Sequence, residues 1–279
     1  MLNRDDARRY NEWYQSDIGR TAALVQKSLL LRLWSPSASQ RVLQVGCGTG
    51  IFLEWFAQLG HQVTGIEPSD AMLNIAQLRL PQRIYLEHGH ADDLPYEDNA
   101  FDTVALISVL EYVDDPLQVL TEAFRVARRH VLLGVANRYS LISCQHYLEQ
   151  LWKPRVFNDA RFFSVFQLRR MVETVMSGPV PHRWGTCLSL PYSMLRYLRF
   201  LECSRYFQWH PLGHFIGMRI DLRYPLQTLQ DPLFCEIGAS LEARFHAYWR
   251  HHREKASGNG SRRQILELHS SQTHFDVDA

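Results

Sequence analysis

Arg41-Val42-Leu43-Gln44-Val45-Gly46-Cys47-Gly48-Thr49-Gly50 is a short apolar run that ends in three glycines at alternate positions. Such a run reads as a buried strand, and the apolar pattern from Ile51 to Leu59, stopped by Gly60, reads as a helix. Glycines between a strand and a helix permit positive φ and let a ligand press against the main chain. The free amides at the start of the helix would face that ligand. A tight turn built only for packing would use glycines too. The spacing narrows the choice of ligand. A dinucleotide loop requires G-x-G-x-x-G and a Walker A loop requires Gly-Lys-Ser/Thr, whereas this loop is G-x-G-x-G followed by Ile51.

Working outward, strand-like and helix-like segments alternate. Gln62 to Ile66 is a second strand, Ser69 to Leu80 a helix ending before Pro81, and Ile84 to Glu87 a third strand. Phe101 to Ser108 is continuously apolar and rich in β-branched residues, as a strand buried on both faces should be. Pro116 to Ala127 is a helix with proline in its first turn, and His130 to Val135 a fifth strand. Alternation of this kind implies a parallel sheet with helices on both faces, which binds ligands beyond the carboxyl ends of its strands. Strand character returns at Trp184 to Leu190 and at residues 214–222, a candidate antiparallel pair. Toward the N-terminus, the spacing of Ile18, Ala22, Val25, Leu29 and Leu33 predicts one helix over Tyr10–Trp34, broken by Ser35-Pro36-Ser37. Residues 138–176 are rich in aromatic and basic side chains and read as helices inserted over one end of the sheet.

Composition bounds the rest. The 279 residues suffice for one large elaborated domain, and 46% hydrophobic with 21% charged content is globular. With 30 Lys plus Arg against 29 Asp plus Glu, no surface dominated by positive charge is expected, which weighs against nucleic acid as the main partner. Five cysteines with no CxxC pair fit reduced thiols in a cytoplasmic protein better than a disulfide framework or a metal site. No stretch reaches the roughly 18 apolar residues of a membrane span.

The second strand ends in Gly65-Ile66-Glu67-Pro68-Ser69. An acid about 20 residues past the glycine loop is where this architecture accepts hydrogen bonds from ribose hydroxyls. As a plain loop acid, Glu67 would instead cap the next helix.

Four stretches in order, VLQVGCGTG, GHQVTGIEPSDAML, GHADDLPYEDNAFDTV and SVLEYVDDP, resemble the successive motifs of class I S-adenosyl-L-methionine-dependent methyltransferases of the small-molecule kind. The likeness runs from about Val42 to Asn137, with a weaker echo in YNEWYQSDIGR, Tyr10 to Arg20. It implies an α/β, Rossmann-like, doubly wound, mostly parallel seven-stranded sheet with a helical cap insertion. The organisation expected is a helical lid over 1–40 and a methyltransferase domain over 41–225 with its cap at about 138–180. Beyond it, amphipathic spacing predicts a C-terminal helix over 226–256, and the polar, Gly- and Ser-containing stretch 257–279 reads as a disordered tail.

The same resemblance implies that Gly46, Cys47, Gly48 and Gly50 pass under the methionine part of the cofactor and that Glu67 holds its ribose. Pro68 and Met72 become candidates for packing on the adenine, with ordinary core packing as the alternative. Ser108 and Leu110 are expected to line the cofactor near the transfer point. Three positions depart from the family. Gln44 stands where an acid is common, and glutamine keeps an acceptor oxygen without charge. His90 replaces an aspartate expected to meet the adenine amino group, leaving the Ala91 amide and Asp92 to substitute. Glu111 stands where many relatives have histidine. If the acceptor is a hydroxyl or a weak carbon acid, a base is needed, and Glu111 and His146 are the candidates. Tyr10, Trp13, Tyr14, Asn137 and Arg138 are candidate substrate contacts. The expected function is methyl transfer to a small-molecule acceptor, giving S-adenosyl-L-homocysteine. A non-catalytic cofactor-binding subunit or sensor is the alternative, and a C-terminal helix bearing Ile237, Leu241, Phe245 and Tyr248 could support oligomerisation.

Overall fold

The computed structural model describes residues 4–140, 161–204 and 206–222. Its centre is a seven-stranded sheet in the order β3-β2-β1-β4-β5-β7-β6. The strands are β1 (Arg41–Val45), β2 (Gln62–Glu67), β3 (Tyr85–His88), β4 (Phe101–Ile107), β5 (Ala127–Ala136), β6 (His182–Cys187) and β7 (Phe215–Asp221). β1 to β5 run parallel, and β7 enters antiparallel between β5 and β6. The pair expected at the edge is therefore antiparallel, but β6 is the outer strand and points the same way as β5. Its carboxyl end lies on the ligand edge: Cys187 is opposite Phe215, which is opposite Ala136.

Order of burial explains the layers. Leu43 and Val45 of β1, Val104 and Leu106 of β4, and Val131 and Leu133 of β5 form one core with the helix α5 (Pro116–Val126). The next helix, α6 (Val165–Val175), adds Leu168 and Val172 to that core. A capping box starts α6: the Ser164 side chain accepts from the Gln167 amide, and the Gln167 side chain accepts from the Ser164 amide. So part of the stretch expected as a cap is a core-layer helix, while residues 141–160 lie outside the described residues.

The other face is covered by α2 (Asp17–Trp34), which packs on β6 and β7. Side chains added at Gly185 or Gly217 would run into Leu29 or Leu33, so bare backbone there admits the helix. The single N-terminal helix expected from the periodicity is two: α1 (Arg4–Gln15) and α2 are separated at Ser16. The Ser16 hydroxyl accepts from the Gly19 amide, a cap that begins a new helix inside an unbroken apolar pattern. The crossover helices α3 (Ile51–Gln58) and α4 (Asp70–Arg79) start where expected, α4 with Ser69 as its cap. Between β6 and β7 the chain forms α7 (Tyr192–Glu202) and a loop. No described helix is long and apolar enough to cross a membrane.

Candidate functional site

The carboxyl ends of β1, β2, β4 and β5 share one edge, and the sequence-selected residues gather there. At the end of β1, Gly46 has φ +64°, and a Cβ on it would lie 2.5 Å from a methyl of Val109. Only a residue without a side chain fits between the exits of β1 and β4. The Cys47 amide continues the ladder to the Ile66 carbonyl at 3.0 Å, and the Gly50 amide closes a turn onto the Cys47 carbonyl at 3.0 Å. Gly50 starts α3 without a side-chain cap. Burial and nearby Glu67 push the Cys47 thiol far up, so it stays protonated.

Glu67, at the end of β2, is 7% exposed. One carboxylate oxygen accepts from the Gly48 amide at 2.9 Å and the other from the Ser69 amide at 3.1 Å. Burial raises its pKa, and the two amide bonds act in the opposite direction. Two acceptors' worth of lone pairs remain, since a carboxylate offers about four sites.

Two buried polar atoms beside this loop have no hydrogen-bond partner: the Gln44 side-chain oxygen and the Thr49 hydroxyl. Orphaned buried oxygens are costly unless a ligand or water satisfies them.

Helix α1 lies across the loop. The Tyr10 ring has a carbon 4.0 Å from the position of a Cβ on Gly48 and lies tilted against Tyr14, with ring centroids 4.9 Å apart. Burial raises the Tyr10 pKa, with further contributions from Tyr14, Tyr112 and Glu67 around its hydroxyl. Tyr14 sets its ring edge-on to Phe52 of α3 at 6.5 Å and to Trp13 at 4.7 Å, with Trp13 largely exposed. The Arg79 guanidinium donates to the Asn11 side chain and ties α1 to α4. The structure thus puts Tyr10 with the glycine loop and Glu67.

Of the candidates for the adenine end, Met72 is buried in the core and Pro68 is half-buried, its carbonyl 2.9 Å from a His88 ring nitrogen. Ala91 packs on the core, while His90 and Asp92 line an open groove of about 580 Å³ with Glu87, Asp93 and Pro95. Sequence reasoning missed what holds this loop. The Arg125 guanidinium donates to the Leu94 and Tyr96 carbonyls and pairs with Glu122, whose carboxylate accepts from the Leu94 amide at 3.0 Å. An acid and an arginine three apart on α5 were the available signal, but that spacing also describes an ordinary surface pair.

After β4, Ser108 takes φ +55°, a conformation uncommon outside glycine, and its amide donates to the Gly134 carbonyl at 2.7 Å. This turn sends Leu110 into the core and brings Glu111 to the end of β5. Glu111 is 3% exposed; one oxygen accepts from the Ala136 amide at 2.7 Å and the other has no partner. Burial pushes its pKa up to about 7.

Just beyond, Asn137 is already committed. Its side-chain amide donates to the Pro211 and Gly213 carbonyls at 2.7 Å, and its oxygen accepts from the Tyr139 amide. It positions the β6–β7 insertion, a role other than the substrate contact expected. Arg138 is exposed at the same exit. His146 and the C-terminal helix and tail lie outside the described residues.

Known proteins of the same build identify what such an edge holds. A methyltransferase-domain family model matches residues 43–133. The ubiquinone biosynthesis O-methyltransferase of Pseudomonas fluorescens is 33% identical over 209 residues, covering 70% of this chain and 80% of that protein. The chain belongs to the class I S-adenosylmethionine-dependent methyltransferases. Two solved methyltransferases share the fold. One, from Thermotoga maritima and described as S-adenosylmethionine-dependent, has TM-score 0.62 at 23% identity, covering 79% of this chain and 98% of that one. The other, the magnesium protoporphyrin IX methyltransferase of Synechocystis with bound S-adenosylhomocysteine, has TM-score 0.55 at 16% identity, covering 76% and 92%. The methyltransferase is accordingly an enzyme whose cofactor is S-adenosyl-L-methionine. Its residues suit that ligand: a bare-backbone turn, a buried carboxylate with spare lone pairs, and two orphaned oxygens beside the turn.

Proposed function

We propose that this methyltransferase transfers the methyl group to a hydroxyl of a small organic acceptor, with Glu111 as the base. The observation that carries the reading is the half-satisfied Glu111 carboxyl, fixed through one oxygen to Ala136 with the other unpartnered. The name of the P. fluorescens relative, an O-methyltransferase, points to the same acceptor chemistry.

The cofactor supplies a methyl carbon on a sulfonium, already activated toward nucleophiles. The protein's part is positioning, exclusion of water and removal of one proton. Gly46 and Gly48 would let the methionyl group approach the backbone closely, and Gln44 would offer its orphaned oxygen to the cofactor's ammonium. Glu67 would accept from the ribose hydroxyls and Asp92 from the adenine amino group, while the Ala91 amide would donate to an adenine ring nitrogen. Tyr10 closes the loop from above, with Tyr14 behind it. The free oxygen of Glu111 would take the acceptor's hydroxyl proton as the C–O bond forms and the methyl carbon–sulfur bond breaks, so that a neutral ether, a neutral carboxyl and neutral S-adenosylhomocysteine result.

The base form of Glu111 is its carboxylate, which accumulates as pH rises through about 7. The kcat/KM for a hydroxyl acceptor should therefore rise with pH and level off above that value. Glu111→Gln should lower it by about 10²-fold or more and remove the inflection. The same substitution should make the protein relatively more stable above neutral pH. A carboxyl whose folded pKa is raised stabilises the fold least once it ionises, and glutamine has no such loss. The assay is S-adenosylhomocysteine release across hydroxyl, amine, thiol and carbon acceptors. A variant that keeps both rate and inflection, or turnover confined to amines, overturns the assignment.

A further inference from the structure

Between β6 and β7 the chain spends more than twenty residues on a platform that the methyl-transfer chemistry does not use. Helix α7 turns Leu195 and Glu202 fully inward and leaves Met194, Tyr197 and Phe200 exposed. The loop that follows adds Tyr206 at 92% exposure, Trp209 at 73% and exposed Leu212. Large aromatic side chains this open to water are unusual unless something covers them.

The platform is fixed rather than loose. The Glu202 carboxylate accepts from three successive amides, those of Leu188, Ser189 and Leu190, at 2.7–2.9 Å. The buried Gln208 side chain donates to the Glu202 carbonyl, and the Gln208 carbonyl accepts from the Thr186 amide at 3.0 Å. These bonds anchor the inward side of the platform, where the Gln208 side-chain oxygen is left without a partner, so the outward aromatics are not displaced core residues.

Charge narrows the occupant. Residues 191–214 contain three arginines, Arg196, Arg199 and Arg205, and one acid. That acid is Glu202, buried and held by three backbone amides, so no acidic side chain of this stretch faces solvent. Exposed aromatic and aliphatic groups on a stretch whose sequence is net positive and whose one acid is buried suit an anionic bilayer surface. Tyr and Trp rest at the boundary between headgroups and acyl chains, and arginine meets phosphate. A second copy would bring together two stretches of the same net positive charge, which like-charge repulsion disfavours.

Placement links the platform to the site. β6 ends on the ligand edge, and Asn137, which follows the strand whose Ala136 amide holds Glu111, donates to the Pro211 and Gly213 carbonyls of the platform. The Ser140 hydroxyl and a His214 ring nitrogen are 3.0 Å apart.

We propose that the β6–β7 insertion docks this methyltransferase on an anionic phospholipid surface, with an amphiphilic acceptor reaching the Glu111 side of the site from the bilayer. The second clause rests on the methyl-transfer reading; the docking does not.

The test is co-sedimentation of the full chain with vesicles of phosphatidylcholine alone and of phosphatidylcholine with phosphatidylglycerol. Binding to the mixed vesicles should exceed binding to the neutral ones at least tenfold and weaken in high salt. The triple variant Tyr197→Ser, Phe200→Ser, Trp209→Ser should lose at least tenfold in vesicle binding. Its melting temperature and S-adenosylhomocysteine affinity, read by calorimetry, should stay unchanged and so show an intact fold. No binding to the mixed vesicles, equal binding by the variant, or a concentration-dependent dimer that the variant abolishes would each overturn the docking. If vesicles bind but no hydroxyl acceptor yields S-adenosylhomocysteine, the docking stands and the acceptor assignment fails.

Discussion

Two buried glutamates do the same thing at opposite ends of the ligand edge, with different consequences. Glu67 collects the amides of Gly48 and Ser69, and Glu202 collects those of Leu188, Ser189 and Leu190. In both, burial raises the pKa while amide donors oppose it. Glu67 joins two different strands' ends and keeps acceptor capacity unused. Glu202 sits in one continuous run of three amides, which takes three of its about four acceptor sites. A carboxylate that has given most of its lone pairs to backbone is a staple; one that has given about half can also take a ligand.

The largest effect should come from Glu202→Ala. It leaves one buried and two partly buried amides without an acceptor at a turn where Leu188 holds φ +62°. A loss of roughly 3–5 kcal/mol in unfolding free energy is expected, since each orphaned buried donor costs about 1–3 kcal/mol and neighbours share the relief of rearrangement. Chemical denaturation measures it. S-adenosylhomocysteine affinity of the folded fraction should be nearly unaltered, and a large change there would erase the distinction from Glu67.

Glu67→Ala should do the reverse. Loss of a charged acceptor shared by cofactor and loop should weaken S-adenosylmethionine binding about tenfold to a hundredfold, or about 1.5–3 kcal/mol. Calorimetric titration reads it directly. Unchanged affinity would make Glu67 a second staple and remove it from the ligand site.

The two glutamates also separate what was legible in the sequence from what was not. Glu67 follows a glycine loop at a fixed interval, because a parallel sheet brings the ends of consecutive strands side by side, and this local order survives in the linear pattern. The same order made β1 to β5 readable as apolar, β-branched runs between punctuating glycines and prolines. Glu202 looks like any acid near a helix end; its partners come from a turn on the far side of α7, and no periodicity encodes them. The α1–α2 break was hidden because Ser16 caps a helix whose apolar spacing continues through it. Helix α6 passed for part of a cap because aromatic residues surround it, although Ser164 and Gln167 carry the capping-box spacing. Asn137 was visible as a polar residue after a strand, but its commitment to Pro211 and Gly213 depends on chain more than seventy residues away.

The smallest expected effect is the finest probe of the ligand half. Gln44 is 2% exposed on β1, with its side-chain oxygen unpartnered, at the position where the family resemblance leads to the expectation of an acid. In Gln44→Asp a carboxylate buried without a partner favours its neutral form, so the ligand-free protein should lose about 1 kcal/mol or less if water reaches the site and more if it does not. An ammonium bound beside it would restore the charged form. S-adenosylmethionine affinity should then change by no more than about threefold, toward tighter binding, and the ligand should raise the variant's melting temperature more than the wild type's. A loss beyond about tenfold would mean that the orphaned oxygen serves the packing of β1 and not the cofactor. Glu67 would then be the main anchor of that half, and the glutamine a feature of this chain's core.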